Sequence, residues 1–210
     1  PGSMIGDTYT TVADTLFTEG FGLSIYWSQE ITHKDAINEI RRHIDAVRYT
    51  DPTTGKLELK LIRDDYDPAT LKVLDNSNST VVKFDRSGRT ELYNQITVKY
   101  KNRATGDWAS VTVRDDRAIR RLGRARNKTF EYPGIWRVDV ALMVARRDLA
   151  ANSREFARAT VKTNRRIADL KPGDTFKLTD PKNGISEMIC RVGQRTNTAS
   201  LNGEITLEVA

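Results

Sequence analysis

The sequence has very little cysteine and histidine: its 210 residues include one cysteine, Cys190, and two histidines, His33 and His43. A single cysteine excludes an intramolecular disulfide, which agrees with assembly in a reducing cytoplasm. Cys190 lies in an alternating apolar pattern, so we predict a small core residue in preference to a catalytic thiol.

Long hydrophobic runs are also missing. The longest uncharged apolar run, residues 140–145, is far shorter than the roughly 18 residues that a membrane-spanning helix needs. No signal peptide is visible, and residues 1–4 are interpreted as the remnant of a cleaved tag. The sequence therefore predicts no membrane anchor. Because the chain stops at Ala210, in or just after a predicted strand, we expect a fragment of a longer polypeptide.

The residue patterns that catalysis and metal binding need are absent as well. His33 and His43 are too far apart in sequence to be paired ligands on one helical turn, and no cysteine accompanies them. No glycine-rich nucleotide loop and no Gly-x-Ser-x-Gly motif is present. The acidic run 64–67 lacks the glycine and terminal glutamate of a calcium loop, so a solvated turn is the preferred interpretation. No catalytic residue, metal site or cofactor is predicted.

Positive charge is concentrated in one part of the chain. The net charge is +6, and from Arg114 to Lys171 there are 16 lysines and arginines against 7 aspartates and glutamates. Within this part, Asp115 or Asp116 is predicted to cap a short basic helix that ends at Gly123. The candidate electropositive interaction surface consists of Arg117, Arg120, Arg121, Arg124 and Arg126.

Three interpretations of the basic segment from Arg114 to Lys128 stay open. The arginines could contact nucleic-acid phosphates, form a solvated face, or pair with acidic groups on a neighbouring subunit. No aromatic platform and no recognition-helix pattern accompanies them, which favours the solvent or subunit interpretation over nucleic acid.

The part of the chain from residue 5 to residue 92 is predicted to combine two helices with a hairpin. One helix is expected over residues 7–19 and a second begins at Thr32, with helical spacing of apolar residues in both. Between them, residues 21–27 alternate as in a short half-buried strand. The turn 51–55 then joins two alternating segments into the hairpin.

The part from residue 93 to residue 210 is predicted to be rich in strands, with a long helix near 135–151. On this helix Val138, Leu142, Ala145 and Leu149 are expected to share one stripe, and the apolar residues around the rest of the helix argue for contacts on more than one side. The short strands and their turns favour a small β-barrel or sandwich. The predicted class is therefore α+β, with small β-barrel or sandwich domains and packed helices, and the domains are allowed to be discontinuous.

Several strings of residues become informative when they are taken in order. They are ADTLFTEGFGLS at 13–24, IRRHID at 40–45, TGKLELKLIRDDYD at 54–67, YNQITVKY at 93–100, FEYPGI at 130–135, ARRDL at 145–149 and LKPGDTFKL at 170–178. In this order they resemble the central part of tail tip attachment (J-like) and baseplate hub proteins of long-tailed phages and prophages. The resemblance extends from about Thr11 to Val209.

The resemblance implies a structural component of the virion tail tip that is made in the bacterial cytoplasm and is not an enzyme. It implies a hub of small β-barrel domains of tail-tube type with packed helices, usually a homotrimer, that joins the tail tube to distal tip parts. Implied partners are the distal tail protein, the tape measure and tip or fibre parts. The resemblance assigns no role to the arginines.

Two alternatives to this structural role stay open. One is a nucleic-acid-binding module that uses the basic segment, and the other is a cell-wall-degrading enzyme. Any two carboxylates can converge in space to form a hydrolytic pair, although nothing in the sequence singles out such a pair.

Overall fold

The computed structural model describes residues 4–86, 92–167, 169–197 and 204–210. The fold class is α+β, as predicted, and the chain divides into two compact units. Unit 1 consists of Pro1–Val12, Ala46–Ser87 and Phe156–Ala210. Unit 2 consists of Ala13–Asp45 and Gly88–Glu155.

The described residues form four α-helices and eleven strands. The helices are α1 (Thr8–Thr18), α2 (His33–Ile44), α3 (Asp116–Leu122) and α4 (Val138–Ser153). The strands are β1 (Ala46–Thr50), β2 (Leu57–Leu61), β3 (Val73–Leu74), β4 (Ser79–Arg86), β5 (Gln95–Lys101), β6 (Trp108–Arg114), β7 (Asn127–Tyr132), β8 (Ala157–Thr163), β9 (Thr175–Asp180), β10 (Ile185–Asn197) and β11 (Ile205–Val209).

Unit 1 is built on a six-stranded sheet in the order β3-β9-β10-β11-β8-β4. Its strands alternate, so that side chains such as Phe176, Leu178 and Leu207 are buried while their sequence neighbours face away from the core. Bulges interrupt the pairing in β4, next to Val82, and in β10, next to Gly193. Bulges strengthen the local twist of a sheet, which agrees with its curled half-barrel form.

Cys190 lies in the core of this sheet and is 2% exposed. Burial raises the pKa of its thiol to about 11, so the thiol is protonated at neutral pH. The prediction that Cys190 is a small core residue is confirmed.

The β1–β2 hairpin of unit 1 forms as predicted and is stabilised by ion pairs. Asp51 Oδ1 accepts the N–H of Thr53 at 2.7 Å, which organises the turn, and Lys171 Nζ donates to Asp51 Oδ2 at 2.6 Å. Lys60 Nζ on β2 likewise donates to Asp174 Oδ1 at 2.5 Å. The hydrogen bond from Lys171 lowers the pKa of Asp51 to about 2, so the pair is ionised throughout the neutral range.

Unit 2 contains a three-stranded sheet in the order β6-β5-β7, with β5 antiparallel to β6 and parallel to β7. The hairpin formed by β5 and β6 is the one that the sequence predicts. Ile96, Val98 and Tyr100 on β5 are buried in alternation, and α4 packs against β5 and β6. This packing positions the surface described below.

The long predicted helix exists, but its limits and its buried face differ from expectation. It begins at Val138, because residues 133–137 continue from a turn in which Ile135 N–H donates to the carbonyl of Tyr132. Val138 is 52% exposed, whereas Ala141 and Ala145 are fully buried. Of the predicted stripe, Ala145 is therefore buried and Val138 is not, and the two alanines allow the helix to approach the sheet closely.

His43, at the end of α2, is fully buried and both of its ring nitrogens have partners. Nε2 accepts the N–H of Gly134 at 3.1 Å, so the proton is assigned to Nδ1, which donates to the carbonyl of Glu39 at 2.8 Å. The neutral ring therefore satisfies both contacts. Burial lowers the pKa of His43, because a charged ring would lose its hydration.

Three further polar side chains complete the interior of unit 2. The hydroxyl of Tyr132 donates to Asp148 Oδ2 at 2.6 Å, and Arg147 donates to the Tyr132 hydroxyl at 3.1 Å and to Asp148 Oδ1 at 3.0 Å. Arg147 also donates to the carbonyl of His43 at 2.9 Å. Burial, with the Asp148 carboxylate beside it, raises the pKa of Tyr132. These bonds hold α2, β7 and α4 together.

Candidate interaction surface

Helix α3 forms where the sequence predicts a short basic helix. Asp115 is its N-cap: Oδ1 accepts the N–H groups of Arg117 and Ala118, both at 3.0 Å. Gly123 ends the helix with a φ of 72°, which only glycine adopts without strain. Ala118 is buried, so the arginines around it are turned toward solvent.

The spacing of the arginines on α3 places three of them on one side. Arg117, Arg120 and Arg121 are three and four positions apart, which is the spacing of neighbours on a helix surface. All three are exposed. They line a groove whose other side is formed by Arg146 on the exposed face of α4 and by Arg154, the C-cap of that helix.

This arginine groove has a volume of about 670 Å³ and lies wholly within unit 2. Its residues are those of the end of β6, of α3 with its cap, and of the second half of α4. They are Arg114, Asp115, Asp116, Arg117, Arg120, Arg121, Arg146, Leu149, Ala150, Ser153 and Arg154. Six arginines thus stand against two aspartates, and the groove is strongly electropositive.

Both aspartates of the arginine groove are already engaged. Asp116 forms an ion pair with Arg114 at 3.0 Å, and Asp115 is the cap of α3. Among the described residues, no carboxylate forms an ion pair with the other five arginines, which are Arg117, Arg120, Arg121, Arg146 and Arg154. Guanidinium groups gathered in this way repel one another, and an anion bound between them relieves that repulsion.

Arg124 and Arg126 of the predicted surface do not line the groove. Their backbone is held by Asn94, which is 1% exposed. Its side-chain amide donates to the carbonyl of Arg124 at 2.9 Å, and its Oδ1 accepts the N–H of Arg126 at 2.6 Å. The guanidinium of Arg126 lies over the ring of Tyr93, 5.5 Å from its centroid. The structure therefore brings three of the five predicted arginines together.

Sequence analysis missed Arg146 and Arg154. The available signal is their spacing, since Arg146, Ala150 and Arg154 recur every four positions, as residues on one face of a helix do, although α4 itself ends at Ser153. That α4 faces α3 is a tertiary contact, so it follows from packing and not from helical periodicity.

The other clusters of titratable residues that the structure describes are less suited to binding a ligand than the arginine groove. The run 64–67 is an exposed loop, with the side chain of Asp64 98% exposed, as the solvated-turn interpretation predicts. Among the described residues, no group of histidine, cysteine or carboxylate side chains is arranged to hold a metal ion. His43, Tyr132 and Asp148 do converge, but all three are buried. No helix within the described ranges is long and apolar enough to cross a membrane.

Comparison with known families decides to which group of proteins the sequence belongs. The family described as "Putative phage tail protein" matches residues 32–194, which is most of the chain and includes parts of both units. The chain belongs to this phage tail protein family. Among curated proteins, no sequence matches significantly.

Solved structures with the same fold include a virion protein of a gene transfer agent and two tail proteins. A protein of the virion of a native gene transfer agent particle matches with a TM-score of 0.58 at 15% identity, over 94% of this chain and 45% of its own. The tail protein from Neisseria meningitidis MC58 has a TM-score of 0.59 at 14% identity, over 88% of this chain and 56% of its own.

A 43 kDa tail protein of prophage MuSo2 from Shewanella oneidensis matches with a TM-score of 0.55 at 15% identity, over 98% of this chain and 66% of its own. At such low identity these likenesses concern the fold. This chain thus spans between 45% and 66% of the length of the three proteins. The phage tail family that the ordered strings indicate is confirmed, and the chain is a phage tail structural protein.

Proposed function

We propose that the chain is a non-catalytic module of a phage or prophage tail tip, which joins the tail tube to more distal tip parts. The observation that carries this proposal is the family match over residues 32–194. The module acts by assembly: it presents surfaces to the distal tail protein, the tape measure and tip or fibre parts, and three copies form a ring around the tail axis.

The half-barrel of unit 1 supports a role in assembly. Within the described ranges its sheet does not close, so β3 and β4 each have a strand neighbour on one side only. Strand β4 is eight residues long and carries Val82, which is 55% exposed. An end strand of this length offers backbone hydrogen-bonding groups to another chain.

A non-catalytic role is supported by the chemistry of the interior. The side chains that most resemble a catalytic group, His43, Tyr132 and Asp148, are buried and bonded to one another or to the backbone. A substrate would have to unfold this part of unit 2 to reach them. The cell-wall-degrading alternative predicts hydrolysis of purified peptidoglycan by the chain, and that result would overturn the structural proposal.

Location is tested by immunogold electron microscopy of purified phage or prophage particles that contain the protein. Antibodies raised against this chain are expected to label one end of the tail, away from the head. Label along the whole tube, or on the head, would contradict a tip position.

Ring formation is tested by light scattering of the chain over a wide concentration range. We expect a mass that climbs toward three copies, since weak subunit contacts are populated by mass action. A strict monomer at high concentration would count against ring contacts made by these residues.

A further inference from the structure

We propose that the arginine groove binds an acidic segment of polypeptide from a neighbouring tail protein. This inference rests on the proposed tail-tip role for the identity of the partner, but the chemistry of binding is argued from the groove alone. It distinguishes between the interpretations that the sequence leaves open, since it favours an acidic protein over nucleic acid and over a merely solvated face.

The shape of the groove suits an elongated ligand. Arg146 lies on α4 and Arg154 is the C-cap directly after it, so the helical part of this span, residues 146–153, is about 10 Å long at 1.5 Å per residue. Arg117 and Arg121 extend for one further turn on α3, on the other side. The groove thus presents guanidinium groups on two sides of a ligand over a length of several residues.

The lining also has an apolar part. Leu149 and Ala150 lie between the arginines of α4 and contribute methyl groups to the groove. A segment with one apolar side chain and flanking carboxylates would bury that side chain here, while its carboxylates reach the arginines. A sugar–phosphate backbone has no comparable apolar group to place against them.

The basic side chains of the lining are all arginines, and this matters for recognition. A guanidinium presents a planar fork of N–H donors that bonds a carboxylate through two parallel hydrogen bonds. Phosphates are bound in the same way, so the arginines alone do not distinguish the two anions. The remaining lining residues make that distinction.

Features that nucleic-acid binding uses are missing from the lining. Single-stranded binders stack bases on aromatic rings, and adenine edges are read by asparagine or glutamine side chains, whereas arginine reads guanine. The groove is lined by no aromatic ring and no side-chain amide. The nearby rings of Tyr93 and Phe130 are instead contacted by Arg126 and Lys128, which lie outside it.

The inference is tested with the full chain and three fluorescent probes in an anisotropy titration. The first probe is a synthetic peptide in which glutamates recur every third or fourth position with leucines between them. The second is the same peptide with glutamine for glutamate, and the third is a single-stranded DNA of equal formal charge. We expect saturable, salt-sensitive binding of the glutamate peptide, weaker binding of the DNA, and no binding of the glutamine peptide.

Matched variants locate the binding. The double variant Arg120→Gln/Arg121→Gln is expected to weaken binding of the glutamate peptide about tenfold, because two partly exposed ion pairs are lost. The control Lys101→Gln/Arg103→Gln removes the same charge from exposed positions at the end of the β5–β6 hairpin opposite to Arg114, outside the groove. It should leave the affinity within about twofold, because distant exposed charges are screened.

A second groove variant guards against misfolding of the short helix α3. Arg146→Gln/Arg154→Gln changes one exposed residue of the longer α4 and the C-cap residue after it. This double variant should weaken binding of the glutamate peptide to a similar extent. Equal losses in a groove variant and in the control, or DNA binding as tight as that of the glutamate peptide, would overturn the inference. Failure of the peptide to bind would overturn it too, while tail labelling would still report separately on the tail-tip role.

Discussion

The two units bury polar side chains in different places. In unit 1 the buried carboxylates lie at the ends of strands: Asp51 organises the β1–β2 turn, and Asp180 caps the short turn after β9. In unit 2, His43 of α2 and Asp148 of α4 are buried among the elements that pack on β7. Unit 1 thus keeps an apolar interior and uses charge to shape its turns, whereas unit 2 uses polar bonds to specify which elements meet.

The largest effect is expected from a cavity in the apolar interior of unit 1. Phe176 is fully buried, so Phe176→Ala should lower the free energy of unfolding by about 4 kcal/mol. Phe156, which is 43% exposed in the same unit, is the matched control, and Phe156→Ala should cost far less. Urea unfolding curves measure both changes, and equal losses would show that the sheet core does not dominate unit 1.

A somewhat smaller loss is expected when the polar interior of unit 2 is broken. Asp148→Leu removes the acceptor of Tyr132 and Arg147 and should lower the free energy of unfolding by about 3 kcal/mol. Asp107→Leu, at an exposed position of unit 2, is the control. If both variants unfold at the same urea concentration, the polar bonds do not specify the packing of unit 2.

A dependence on pH sharpens the contrast between the units. Because burial lowers the pKa of His43, the unfolded chain takes up this proton at higher pH than the folded chain does. Stability should therefore fall as the pH drops below about 6.5, by at most about 1.4 kcal/mol per pH unit. Unfolding curves measured at several pH values should lose this pH dependence in His43→Gln. The exposed control His33→Gln should keep it. An unchanged pH dependence in His43→Gln would mean that another group causes it.

The smallest effect is expected at the hairpin of unit 1. The pKa of Asp51 is lowered to about 2, so its contribution is present at neutral pH and is lost only as the pH falls from about 4 toward about 2. Lys171→Met removes the bonded ammonium and should raise the pKa of Asp51 toward its ordinary value. NMR titration of the carboxyl group measures this, with Lys182→Met as the control; an unmoved pKa would mean that the turn N–H groups set it.

Sequence patterns predict most helices and strands, because apolar periodicity and capping residues determine these elements locally. The alternation of Ile96, Val98 and Tyr100 predicts β5, and the aspartates before α3 predict its cap. By contrast, residues 21–27 alternate but form no strand in the structure. Ser24 N–H donates to the carbonyl of Gly134, but the segment does not continue into a strand ladder. Apolar periodicity therefore predicts which side chains share a face better than it predicts the hydrogen-bond partners of the backbone.

The arginine groove likewise could be predicted from the sequence only in part. Arg117, Arg120 and Arg121 share a face that follows from helical spacing, whereas their meeting with Arg146 depends on how α4 packs. The predicted division into domains at residues 92 and 93 likewise stays a prediction. The compact units of the structure are interleaved along the chain, and interleaving leaves no mark on composition.

This interleaving has a consequence for the nascent chain. Strand β4, complete at Arg86, pairs with β8, which begins at Ala157, and β8 in turn needs β11. On the ribosome, the second segment of unit 2, Gly88–Glu155, is therefore synthesised between β4 and its neighbour β8, which takes roughly several seconds at ordinary rates of translation. Strands β3 and β4, two of the six in the sheet, are thus made before their neighbours β9 and β8, and both segments of unit 2 are complete before the sheet can form.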